Sequence, residues 1–156
     1  MIARSTQGRT TVGASWQVMG SGVLYLIPVT IPADHLLGNI AAHLRNSVAN
    51  VHSIAGYVYA DAAGAPGDVL GFSGQVTGSS LLGTSTGRWV HFSVGLWFAV
   101  ETDVWVGVSR SVAGANSWDM AFDATGGSGG SRASTSDAAA WTPGTNDWSI
   151  YGELFS

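Results

Sequence analysis

The chain is a succession of short apolar runs, each closed by a turn signal, and almost none of it has a helical period. The runs GVLYLIPVT (Gly22 to Thr30), RWVHFSV (Arg88 to Val94), DVWVGVSRSV (Asp103 to Val112) and DWSIYGELF (Asp147 to Phe155) are rich in β-branched and aromatic residues. Turn signals recur every eight to twelve residues. Such residues fit a half-buried pleated surface, and such spacing is the pattern of an all-β sandwich or barrel. The parities agree, because successive side chains of a strand point to opposite faces. Val90, Phe92 and Val94 share a face, as do Trp148, Ile150 and Leu154. Val104, Val106 and Val108 lie opposite Trp105 and Gly107, and Ile54 and Val58 lie opposite Tyr57 and Tyr59.

One stretch, His35 to Ser47, places Leu36, Leu37, Ile40, Ala41 and Leu44 at helix-compatible intervals. Gly38-Asn39 interrupts it and its surroundings are β throughout, so Leu36 to Arg45 reads as a strand. Further strands are expected over Ser53 to Ala60, Asp68 to Val76, Trp97 to Val100 and Trp118 to Asp123. Gly126 to Ala140, mostly Gly, Ser, Ala and Thr, reads as a long surface loop. Residues 1–20 lack strong alternation and are expected to be an N-terminal arm or irregular lead-in to a single antiparallel β-sandwich at 21–156. Several strands are apolar on both faces, for example Leu24 and Leu26 against Val23, Tyr25 and Ile27. A doubly apolar strand implies a third layer or a partner.

Charged residues make up 10% of the 156, against about 25% in a typical domain. Two explanations stand side by side: surface covered by neighbouring subunits, or a surface made polar by Gly, Ser and Thr without charge. The longest apolar stretch, Gly22 to Ile31, contains Pro28 and is half the roughly twenty residues of a spanning helix. MIARSTQGRT shows no signal-peptide pattern. There is no Lys, the six Arg are scattered, and the net charge is −4. Nucleic-acid binding needs a basic stripe that replaces counterions, so it is excluded. No Cys is present, which removes disulfide staples and thiolate metal sites.

No constellation for catalysis is legible. His35, His43, His52 and His91 lie on different segments, without metal-ligand spacing. Gly71-Phe-Ser73-Gly74 lacks the spacing of a nucleophile elbow. Asp119 and Asp123 share one strand at a separation of about 13 Å, too far for a carboxylate pair. Asp61, Asp68, Asp119, Asp123 and Asp147 supply hard oxygens but form no DxDxDG-type calcium loop. No catalytic residue, metal or cofactor is therefore assigned, and the chain is expected not to be an enzyme. Sugar binding needs exposed aromatic platforms beside polar groups. Trp89, Trp105 and Trp148 sit within strands and read as core or sheet-face residues. Trp97, Trp118 and Trp141 lie near loop ends and are the candidate glycan or partner contacts, Trp141 being either a platform or a pin for its loop.

The stretch SIAGYVYADAAGAPGDVLGFSG (Ser53 to Gly74) encodes a corner. Asp61 can accept backbone N–H bonds, Gly64 can supply a positive φ, and Pro66-Gly67 fits the centre of a type II turn. YVYADAAGAPGDVLGFSG, with RWVHFSV, ETDVWVGVS, NDWSIYGELF and the earlier LYLIPVTIPA, resembles a β-sandwich module recurrent in tailed-phage virion proteins. The turn is shared more loosely with jelly-roll modules of extracellular carbohydrate-binding proteins. The resemblance covers most of the chain. It implies a jelly-roll-like sandwich on the virion surface: a capsid decoration protein, head fibre or tail-associated protein, with the major capsid protein or other virion proteins as partners. It implies self-association, for which a trimer fits, and no enzyme. The chain departs from the pattern by opening on Met1 and a lead-in, with no long fibre region, which favours a stand-alone virion protein. Deleting residues 1–20 is then expected to weaken attachment and leave the sandwich folded. The alternative, from another class, is a carbohydrate-binding module for host adhesion.

Overall fold

The computed structural model describes residues 2–20, 22–45, 53–77, 86–110, 118–124, 131–134 and 140–156. His52 and most of the expected 126–140 loop lie outside them. The described residues contain strands and no helix, so none is long and apolar enough to cross a membrane. In chain order the strands are β1 (Arg4–Gly8), β2 (Ser15–Val18), β3 (Leu24–Ile31), β4 (His35–Arg45) and β5 (Ser53–Asp61). There follow β6 (Pro66–Phe72), β7 (Val76–Thr77), β8 (Arg88–Phe98), β9 (Thr102–Arg110) and β10 (Asp119–Asp123). The last are β11 (Ser131–Ser134), β12 (Thr142–Gly144), β13 (Asp147–Trp148) and β14 (Ile150–Phe155).

They form two antiparallel sheets. In the first, the order is β1-β14-β4-β10-β13, with β8 on β4 and β2 on β10. In the second it is β12-β11-β3-β9-β5-β6, with β7 on β5. The inward residues of both sheets meet in one core: Ile40, Leu44, Phe92, Met120 and Ile150 from the β4 sheet pack with Ile27, Ile54, Val58, Val106 and Val108 from the β9 sheet. The sheets approach closely at Gly56, where a Cβ would lie 2.9 Å from that of Phe92. The antiparallel β-sandwich expected from the runs and their parities is the observed fold.

His35–Arg45 is a strand, and bulges with glycines interrupt its pairing on both sides. Gly38 is the extra residue on β4 against β14, where the pairing steps from Asn39↔Glu153 to Leu37↔Leu154. The Phe155 ring fills the space a Cβ at Gly38 would need. On the other side β8 carries the extra residue, between Leu37↔Leu96 and Asn39↔Ser93, with Gly95 at φ +64°.

Four expectations are corrected. Residues 1–20 include two strands: β1 pairs with β14 from Arg4↔Phe155 to Gly8↔Tyr151, and β2 pairs with β10. They lack apolar alternation because both are edges held by distant polar partners; Met19 between them and β3 is fully buried. Trp97 does not begin a new strand but continues β8 to Phe98. Within the expected 126–140 loop, Ser131–Ser134 is a strand between β3 and β12. Finally, the β5–β6 hairpin does not turn at Pro66-Gly67. Its central residues are Ala63 (φ 54°) and Gly64 (φ 83°), closed by Ala62 N–H to Ala65 O at 2.7 Å and the reverse bond at 3.3 Å. Positive φ at both central residues marks a type I′ turn, whose twist matches a hairpin. Pro66 is already the first residue of β6, paired with Asp61.

Candidate functional site

The turn is anchored to the outer face of the β9 sheet by Asp61. One carboxylate oxygen accepts the Gly64 N–H at 3.1 Å, and the other accepts the Trp105 indole N–H at 2.8 Å. Trp105 is 2% exposed although it points away from the main core. With Leu24, Leu26 and Tyr59 it forms a second apolar cluster, against which Tyr57 and Trp141 pack. This cluster buries Leu24 and Leu26 on the outer side of the doubly apolar β3.

The same face carries a row of aromatic rings. β5 places Tyr57 and Tyr59 on it, and β6 brings Phe72 opposite Tyr57. Ring centroids are 6.4 Å apart for Phe72–Tyr57, 6.5 Å for Tyr57–Tyr59 and 5.4 Å for Tyr59–Trp141, the last edge-on. Exposure rises along the row, from Tyr59 at 7% to Phe72 at 68%. Burial raises the Tyr59 phenol above its ordinary value, with the neighbouring Tyr57 adding to the effect. Beside the row is a groove of about 410 Å³ lined by Tyr57, Tyr59, Leu24, Gln75, Ser109 and Arg110. A larger groove of about 780 Å³ lies toward the turn, with Asp61, Asp103, Asp147, Thr30 and Arg9 among its lining. Arg9 there is committed to ion pairs with Asp123 and Asp147, and Thr30 donates to Asp103 at 2.6 Å.

The tryptophans singled out by loop proximity divide three ways. Trp118 is 1% exposed and belongs to the main core, which overturns it as a surface contact: it directly precedes β10 and its carbonyl accepts the Met19 N–H. Trp141 is half-buried on Tyr59, so it pins its segment to the β9 sheet. Trp97 is 58% exposed on β8, opposite Leu36. Of the turn residues, Asp61 and Gly64 hold the bend. Pro66 is buried at the start of β6, and Gly67 takes no left-handed conformation. The aromatic row of Tyr57, Tyr59 and Phe72 is not singled out by the sequence; the parity of Tyr57 and Tyr59 is legible, but Phe72 joins them only through the β5–β6 register.

The outer face of the β4 sheet holds a polar network. Glu153, 2% exposed, accepts from Arg4 and from Asn39 (2.9 Å) and lies 3.3 Å from His91. Burial pushes its carboxyl up, but the bonds from Asn39 and Arg4, with His91, outweigh this and hold it below its ordinary value. His43 is flanked by Trp16 and Trp89 at 5.7 and 5.2 Å, and burial lowers its pKa. Asp119 and Asp123 are ion-paired separately, to Arg45 at 2.9 Å and to Arg9. Ser73 is a latch: its hydroxyl accepts the Gly56 N–H and donates to Gly74 O, both at 2.8 Å. Among the described residues no three His, Asp or Glu side chains group as metal ligands.

No family model matches the chain, and no curated protein matches it in sequence. Among solved structures it is similar to a chain from the structure of the Gt strain of infectious bursal disease virus, at 13% identity and a TM-score of 0.42, over 99% of this chain and 41% of that one. A chain from the Gx strain structure gives 12% identity and a TM-score of 0.32, over 99% of this chain and 34% of that one. The chain thus spans less than half the length of either, and a likeness of this size carries neither family nor function across.

Proposed function

We propose that this chain is a virion structural protein that works by surface adhesion and self-association, as a decoration protein on the capsid exterior of a tailed bacteriophage. Its partners are then the major capsid protein and its own copies, and it turns over no substrate. The observation that carries the reading is the placement of exposed apolar side chains. Val69 (52%) and Leu70 (42%) lie on β6, and Trp97 (58%) and Val100 (68%) at the end of β8 and the turn after it. β6 and β8 are edge strands of different sheets, and they meet where the Leu96 side chain covers Gly71. An edge strand with apolar side chains and unpaired backbone groups is a template for another chain, and exposed apolar residues gathered on one side mark interaction sites. The motif resemblance to phage virion modules supplies the setting. Light scattering after gel filtration tests it: a closed oligomer is expected, and a monomer at all concentrations would count against self-association. A second reading, a carbohydrate-binding module for host adhesion, is favoured by the aromatic row on the β9 sheet.

A further inference from the structure

We infer that the outer face of the β9 sheet carries a saccharide-binding site in which Tyr57 and Phe72 are stacking platforms and Gln75 and Ser109 hydrogen-bond the sugar hydroxyls. This names the site of the second reading above and rests on it.

Recognition of a sugar ring asks for an apolar flat surface against its C–H face and a few polar groups at its rim. The row offers the first. The Tyr57 ring is fixed between Phe72 and Tyr59, and Tyr59 is in turn backed by Trp141. Tyr57 therefore has less rotamer freedom to lose on binding, and side-chain ordering is one of the costs of association. Phe72 extends the surface outward and is exposed without a covering segment among the described residues. The groove of about 410 Å³ alongside offers the second requirement. Gln75 presents both an amide donor and a carbonyl acceptor, and Ser109 a hydroxyl that does either. That mixture suits vicinal hydroxyls, which donate and accept at once.

Other ligand classes fit less well. No described carboxylate lines this groove, unlike the larger one beside Asp61, Asp103 and Asp147. Arg110 is the one charged group among its described lining. A carboxylated sugar is therefore not repelled. A nucleic-acid strand needs cations along its length, which a chain with six scattered Arg and a pI near 5.3 does not supply. A purely apolar ligand would leave Gln75 and Ser109 desolvated without partners, a cost rather than a gain.

The test uses the full chain on a printed panel of neutral hexose, N-acetylhexosamine and uronate oligosaccharides, with hits measured by titration calorimetry. Saturable binding of at least one saccharide is expected. Tyr57→Ala and Gln75→Ala are each expected to weaken it tenfold or more, while Val18→Ala, exposed on β2 of the other sheet, leaves it unchanged. Gln75 is exposed, so its variant keeps the fold even if Tyr57→Ala does not. Absence of binding across the panel overturns both the site and the module reading. Binding that survives Gln75→Ala and Tyr57→Ala overturns this site alone and leaves a glycan-binding module with its contacts elsewhere.

Discussion

Asp61 shows how one side chain can tie a turn to a sheet. It accepts the Gly64 N–H that shapes the bend and the indole N–H of nearly buried Trp105. Asp61→Ala removes both acceptors at once. Hydrogen bonds to charged groups contribute roughly 1.5–3 kcal/mol each, the exposed Gly64 bond less than the Trp105 one. A loss of about 2–3 kcal/mol in urea unfolding is expected, with Asp61→Asn losing less because an oxygen acceptor remains. His43 and Glu153 set the response to acid. His43 is held neutral by burial, so the unfolded chain takes up a proton near the ordinary 6.5 before the folded chain does. Stability from this residue is full above that pH and falls as pH drops toward its lowered folded value. Glu153 is lowered below its ordinary 4.5, so its contribution is lost further down, as it protonates in the fold. Asp123, lowered chiefly by the Ala14 N–H and then by Arg9, acts in the same direction. The Tm is expected to fall in two stages between pH 7 and pH 3. His43→Gln should flatten the first stage, and a Tm that is level from pH 7 to pH 4.5 would contradict this account.

At the scale of elements, what was legible depended on whether a strand advertises itself locally. β8 and β9 do, because their inward residues alternate with outward ones over several positions: Val90 and Phe92, and Val104, Val106 and Val108, are all buried. RSTQG and SWQV do not. Their places are set by pairing with strands more than a hundred residues away and by the Arg4–Glu153 and Arg9–Asp123–Asp147 ion pairs, which no local period reveals. The turn chemistry was half legible. Asp61 and Gly64 do what their types favour, but the left-handed position next to Gly64 is taken by Ala63, a residue with no such preference. Trp118 illustrates the converse limit, because nearness to a loop in sequence says nothing about burial. The N-terminal strands change one expected outcome. Removing residues 1–20 uncovers β14 and β10 and deletes Met19 from the core, a change worth about 2–5 kcal/mol for Met19→Ala alone. The truncated chain is expected to melt far below the full chain or not to fold, rather than to keep an intact sandwich. Thermal unfolding followed by near-UV circular dichroism reads this directly, since Trp118 and Trp148 report on the packed core.

At the scale of the molecule, the low charge content has a structural counterpart. Arg4, Arg9 and Arg45 are spent on Glu153, Asp123, Asp147 and Asp119, so part of an already small charge complement serves internal pairing. On the β6–β8 side, Val69, Leu70, Trp97 and Val100 are exposed at two edges, with Asp68 and Glu101 next to them in the chain. Association through such a side is driven by removal of apolar area from water. It should therefore be insensitive to screening, even though the Debye length shrinks from about 10 Å at 0.1 M salt to about 3 Å at 1 M. The mass by light scattering is expected to stay constant from 0.1 to 1 M salt, and the Tm to rise with protein concentration, as mass action requires when only the folded state associates. Leu70→Ser with Trp97→Ser removes two side chains that are 42% and 58% exposed, so the sandwich itself loses little. That pair should lower the solution mass and abolish the concentration dependence of Tm. Neither substitution touches Tyr57 or Gln75, so the double variant should still bind whatever saccharide the β9 face takes. An unchanged mass in the double variant would move the interface off this side of the sandwich, and dissociation of the wild type by salt would make it ionic rather than apolar.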